Sequence, residues 1–289
     1  MNTTGQRGFT LIEVAIVLLI VAILLGYTVA LYPVQQELKQ YRQLQSEMDQ
    51  IIEHLVGFAQ VNRRLPCPDS SGDVNGTTTP GNLDGEEDFD DEIINATGVA
   101  AAFPADNLPD SCKGFSGFVP AGTLGINGDF DSLGRLLDPW GQPYRYHVSN
   151  INRNDAGGGV DADPLTGVAD DLVSPDGIGE EGLSNVTPNL VICDDSDNSS
   201  AADINCAVVS ANNVVTNVAA VVISTGKDIG QVASNIQDEN QDDFNDGTND
   251  FVYTFSTNSD VSGAEYDDRV RWISTNVLYS KMIEAGQLP

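Results

Sequence analysis

Histidine is almost absent: His54 and His147 are the only two in 289 residues. That leaves no room for a multi-histidine metal centre and almost none for a histidine-based triad. No Gly-x-Ser-x-Gly, Walker A loop or dinucleotide-binding glycine pattern occurs. The four cysteines include no C-x-x-C pair, which speaks against redox or zinc chemistry. Basic residues are scarce too, 13 Lys and Arg against 43 Asp and Glu, for a formal net charge of −30. Such a surface argues against nucleic acid and anionic lipid headgroups as partners. It suits solubility outside the cell, or capture of cations. Carboxylates are so numerous that none stands out as an acid/base pair, so nothing marks the chain as an enzyme. No internal repeat is apparent.

One long apolar run organises what is present. From Phe9 to Tyr32 the only charge is Glu13. These roughly 24 residues make about 36 Å of helix, enough to cross a bilayer core of about 30 Å. Arg7 precedes the run, and a positive residue on the short N-terminal side favours keeping that side cytoplasmic. A carboxylate inside a membrane segment costs about 2.5–3.5 kcal/mol on insertion scales, so Glu13 calls for a partner or for a path to the headgroups. A conventional secretory signal fits badly: no small-x-small cleavage site follows the run, which is long for such a signal.

Gly8-Phe9-Thr10-Leu11-Ile12-Glu13 followed by uninterrupted apolar sequence resembles the class III signal of type IV pilins and type II secretion pseudopilins. The resemblance implies cleavage by prepilin peptidase between Gly8 and Phe9, N-methylation of Phe9, and an assembly role for Glu13 as the fifth residue of the mature chain. The physics agrees. Cleavage creates an ammonium at Phe9 in an apolar setting, and a carboxylate on a neighbouring subunit can neutralise it when helices pack side by side. Two charges that are each costly alone become tolerable as a pair.

The chain then divides into a leader at 1–8, a transmembrane and assembly helix at 9–62, and a globular domain at 63–289. Pro33 should kink or loosen the helix near the membrane exit. Beyond it Val34, Leu38, Tyr41, Leu44, Met48, Ile51, Ile52, Leu55, Phe58 and Ala59 recur at three- and four-residue steps, a stripe suited to packing on the chain's own domain. His54 lies beside that stripe as a helix-surface residue. Pro66 and Pro68 bar the helix from continuing. An even cysteine count in an exported domain suggests two disulfides, with three connectivities open. Cys67–Cys112 and Cys193–Cys206 are favoured because each closes within one region.

From Asp69 to about Asp138 the sequence predicts long loops with at most one short helix, including the acidic block Asp84–Glu92. Asp138-Pro139-Trp140-Gly141-Gln142-Pro143-Tyr144 is turn chemistry leading into alternating Tyr144, Tyr146 and Val148. This segment is similar to one in major pseudopilins, which implies that it opens the first strand after the long helix and that Trp140 packs a turn. Further strands are predicted at 189–193, 214–224, 250–256 and 268–273. The continuously apolar Val218–Ile223 reads as a central strand buried on both faces. Ser274 or Thr275 caps a C-terminal helix of about ten residues that stops at Gly286.

Asp242, Asp243, Asn245, Asp246 and Asp250 set hard oxygen ligands around Gly247, as calcium requires, and the pseudopilin resemblance implies a calcium loop near the C-terminus. The blocks 84–92 and 155–181 are weaker candidates. The expected fold is α+β: a long N-terminal helix packed on an antiparallel sheet, with long acidic loops and a short C-terminal helix. The expected role is structural, a minor subunit of a type IV pilus or a type II secretion pseudopilus. Its partners would be other pilin or pseudopilin subunits, prepilin peptidase and the inner membrane, with the globular domain in the periplasm. The rival is a membrane-tethered calcium- or ligand-binding module exported by a pilin-type signal.

Overall fold

The computed structural model describes residues 11–70, 84–90, 93–94, 100–101, 111–112, 115–149, 172, 178, 188, 190–194, 213–227, 240, 252–255, 259–261 and 264–288. The chain forms two compact units, Met1–Gln45 and Ser46–Pro289.

Helix α1 spans Leu11–Asn62, and its helical backbone continues through Gly26 and Pro33 without a break. Its first part is apolar on every side, and the side chains from Leu11 to Leu25 are exposed. Among the described residues no helix is long and apolar enough to cross a membrane. The side chains described there, residues 11–26, cover roughly 24 Å of helix, short of a bilayer core of about 30 Å. The remaining positions of the expected span lie outside them.

In the second unit the helical stripe is buried where the spacing predicts it, at Met48, Ile51, Leu55 and Ala59. Leu38, predicted as part of the same stripe, belongs to the first unit and is 51% exposed. α1 stops before Arg63, whose φ of 63° is a left-handed helix stop taken by a residue other than glycine. Its backbone N–H still bonds the Ala59 carbonyl at 2.9 Å.

Short pieces follow: β1 (Phe89–Asp90), β2 (Ile93–Ile94), β3 (Ala100–Ala101), β4 (Ser111–Cys112), β5 (Ser116–Phe118) and α2 (Ala121–Leu124). Then come β6 (Arg145–Val148), β7 (Leu190–Asp194), β8 (Asn213–Ser224), β9 (Val252–Phe255), β10 (Ser259–Val261), β11 (Ala264–Tyr266), β12 (Arg269–Ser274) and α3 (Thr275–Glu284). β8 is the hub of a six-stranded sheet and pairs antiparallel with β6, β7 and β12. As the apolar run predicts, Val218 to Ile223 are all fully buried.

Two expectations need correction. The sheet is not wholly antiparallel, because β7 and β9 pair in parallel, Val191 opposite Val252. The chain between them passes through β8 and on to residue 252, long enough for the crossover that parallel pairing demands. Nor does the Asp138–Tyr144 segment open the first strand after the helix. β5 precedes it and pairs with β6, Gly117 opposite Tyr146.

Period-two alternation divides the sheet's side chains between two faces. Tyr146 stands opposite Val222, and its hydroxyl donates to the Pro66 carbonyl at 3.1 Å. The Tyr144 hydroxyl donates to Glu47 on α1 at 2.8 Å. This face therefore receives residues 46–62 of α1. The other face carries Leu190, Ile192, Val221, Ile223, Tyr253 and Val270 as one core cluster, with Phe255 and Trp272 packed edge-to-face at its border.

Candidate functional site

Gly8 and Phe9, the predicted processing pair, lie outside the described residues. Glu13 lies in the first turn of α1 and is exposed, within the apolar stretch that the helix presents from Leu11 onward. Apolar neighbours dictate helix here and leave this carboxylate as the stretch's single charge, so the surface suits packing against other apolar helices.

Where α1 ends, the chain is fastened. The Arg64 guanidinium donates to both oxygens of Glu87, at 2.7 and 2.9 Å. Both side chains are nearly buried, 9% and 11% exposed, and the guanidinium also lies 5.1 Å from the centre of the Phe58 ring. Glu87 further accepts the Cys67 N–H at 3.1 Å. Cys67 is joined to Cys112 as the sequence predicts, both fully buried. Closing a loop of 45 residues in this way stabilises by about 4 kcal/mol in the chain-entropy account. Cys193 is also disulfide-bonded; its expected partner Cys206 lies outside the described residues.

Asp138 does more than begin a turn. One carboxylate oxygen accepts the N–H groups of Trp140 and Gln142, both at 2.9 Å. The other accepts the Ser224 hydroxyl at 2.6 Å, at the end of β8. Burial pushes its pKa up despite these bonds. Trp140 is half-buried at that turn, in keeping with the turn-packing role predicted for it.

The sheet carries two further buried titratable groups. His147, on β6, is hydrogen-bonded through Nδ1 to the Tyr253 hydroxyl, and burial pushes its pKa down to about 3. A histidine held neutral in this way is a core residue. Asp268 stands at the β11–β12 turn, 1% exposed. It accepts the Asn240 amide at 3.1 Å through Oδ2, while Oδ1 has no partner. Burial, with the Asp267 charge adding to it, raises its pKa to about 8.

A raised carboxyl pKa means that the folded state holds a proton the unfolded state has released, so Asp268 makes stability fall as pH rises from about 4 to about 8. In EDTA, wild type should lose stability relative to Asp268→Asn across that window, by at most about 1.4 kcal/mol per pH unit. Urea melts at several pH values would show it, and parallel curves for the two proteins would refute it.

His54 is a helix-surface residue as predicted, its Nδ1 3.0 Å from the Leu124 carbonyl oxygen. It borders an open groove of about 440 Å³ lined by Glu53, Gly57, Phe58, Val61 and Leu124. Asp242, Asp243, Asn245, Asp246 and Asp250 lie outside the described residues. Among those described, no three His, Cys, Asp or Glu side chains are grouped to hold a metal. The residues that sequence reasoning missed are Glu87, Asp138 and Asp268. Asp138 reads from the sequence only as part of a turn, and no local pattern separates the other two from the many other acids.

Taken together, one apolar helix with a single acid near its start, joined to an α+β domain, is the build of a subunit that assembles through its N-terminus. Residues 3–29 match the family model described as the prokaryotic N-terminal methylation motif, so the chain carries a signal of the type IV pilin kind. The match ends at residue 29, within α1, and covers neither the rest of that helix nor the domain beyond it. No curated protein and no solved structure matches the chain.

Proposed function

We propose that the chain is a minor structural subunit of a type IV pilus or a type II secretion pseudopilus. Prepilin peptidase removes residues 1–8, the amine of Phe9 is methylated, and the mature chain is anchored in the inner membrane with its domain in the periplasm. Assembly then draws the N-terminal helices together, and Glu13 of one subunit meets the Phe9 ammonium of another. The observation that carries this reading is the methylation motif at residues 3–29, with Glu13 inside it. A minor rather than a principal role is the reading favoured by the long Asp- and Gly-rich insertion at 149–187.

Gly8→Ala tests the processing step, because a peptidase pocket shaped for glycine before the scissile bond excludes even one methyl group. The variant should keep its leader, while the wild-type mature chain begins at Phe9. Intact mass and N-terminal sequencing read both. A wild-type chain beginning anywhere else ends the proposal.

A calcium- or ligand-binding module that uses the signal only for export is the second reading. Asn240, close to the candidate loop 242–250, is pinned to Asp268 and to the Tyr266 hydroxyl at 3.1 and 3.4 Å.

A further inference from the structure

Glycine inside a helix is destabilising relative to alanine, so its presence calls for a reason. Gly57 lies within α1, and a Cβ added to it would meet nothing within 4 Å. The domain's own packing therefore does not require the glycine and leaves the space above it open. Glu53, Gly57 and Val61 follow at four-residue steps, so they share one face of the helix. Val61 is 75% exposed. With Phe58 and Leu124 these residues line the open groove of about 440 Å³. Its walls are fixed from behind: the His54 ring is hydrogen-bonded to the Leu124 carbonyl, and the Phe58 ring packs against the Arg64 guanidinium. A groove formed in advance spares a partner the cost of ordering it.

Glu53 gives the groove an acid that, among the described residues, takes part in no ion pair. A complementary occupant brings an apolar side chain together with a cation. Free cations are rare in a chain with 13 bases against 43 acids. Arg64, Arg135, Arg271 and Lys281 are already in ion pairs. Among the described residues Lys39 and Arg42 are in none, and both are exposed. Arg42 lies four residues from Leu38 and three from Lys39, so the three share a face of α1. Leu38 is 51% exposed. The exposed apolar pair Phe130 and Leu133 fits less well, because Asp129 beside it would be brought onto Glu53.

We propose that the groove at Glu53, Gly57 and Val61 is a docking site for α1 of a second copy of this chain. Leu38 of that copy enters beside Gly57, and its Lys39 and Arg42 meet Glu53. This is recognition of a helix by a groove, with the apolar side chain as anchor and the charges setting register. The two patches differ, so the contact is head-to-tail and can pass from copy to copy. The inference rests on the filament reading, which brings copies of α1 together. The net charge of −30 opposes their approach. Salt screens that repulsion beyond about 8 Å, whereas the local pairs are in contact.

The experiment is cross-linking between full-length copies, in membranes and in sheared filaments. Leu38→Cys is carried by one tagged copy and Val61→Cys by another, and mild oxidation joins them where the two positions touch. The mixed dimer should exceed the homodimers that either variant gives alone. Gly57→Leu fills the groove and should remove the mixed dimer without lowering the melting temperature. Glu53→Arg should also remove it, and Lys39→Glu with Arg42→Glu in the Leu38→Cys copy should restore it. Filaments that form without the mixed dimer overturn the inference and leave the filament reading standing. Where no filament forms, that reading fails, and absence of the dimer from membranes overturns this contact separately. A Val61→Cys product made with another subunit, and none with Leu38→Cys, overturns the choice of occupant. A mixed dimer that survives both Gly57→Leu and Glu53→Arg is random collision and overturns it too.

Discussion

Glu13→Ala should leave the chain inserted, folded and disulfide-bonded, yet almost absent from filaments. Residue 13 lies in the first turn of α1, in a different compact unit from the domain core. In the proposed assembly the carboxylate is surrounded by neighbouring helices and offsets a terminal ammonium that has no other partner. Removing one member of a buried pair costs about 3–5 kcal/mol, which lowers an assembly equilibrium by on the order of a hundredfold or more. Glu13→Gln keeps an acceptor and loses the charge, so it should fall between alanine and wild type. Recovery of each variant in sheared filaments, relative to total membrane protein, measures the effect. Incorporation of Glu13→Ala at the wild-type level would reduce Glu13 to a residue that snorkels to the headgroups.

The second large effect lies in the domain. Arg64→Ala leaves Glu87 nearly buried beside Cys67 with its cation gone, and should destabilise by about 3–5 kcal/mol. Arg64→Met combined with Glu87→Leu removes both charges and keeps most of the volume, so it should recover the larger part of that loss. Urea denaturation of the three proteins decides the matter. A loss under about 1 kcal/mol for Arg64→Ala would mean that the pair behaves as a solvated surface bridge.

Much of the framework was legible because it rests on local rules. Pro66 and Pro68 stop α1 within a few residues of its observed end. Six consecutive apolar residues in β8 demand burial on both faces, and Val218–Ile223 are fully buried. α3 starts at Thr275 after Ser274 and stops before Gly286, whose φ is 72°. Cys67–Cys112 followed from regional closure alone. The parallel β7–β9 pair was not legible, since pairing direction depends on the path between strands rather than on either strand.

The site was legible only in its covalent chemistry. A motif of six residues, Gly8 to Glu13, carries the processing signal, and the family match covers it. Glu87 is one acid in a run of many, and only the fold turns it toward Arg64. Asp138 was read as part of a turn, but its bond to Ser224, 86 positions away, cannot be read from either segment.

The junction at the end of α1 has a mechanical consequence. Gln60 donates to the Lys281 carbonyl and Arg63 to Gln287, which ties the helix to the C-terminal segment. Arg64 grips the 84–88 turn, and Cys67 is covalently joined to β4. Four attachments within eight residues reach three separate parts of the domain. Traction along α1 is therefore shared in parallel and does not peel one contact after another. Such a joint is stiff until it gives, and the load is divided among the C-terminal segment, the 84–88 turn and β4 from the outset.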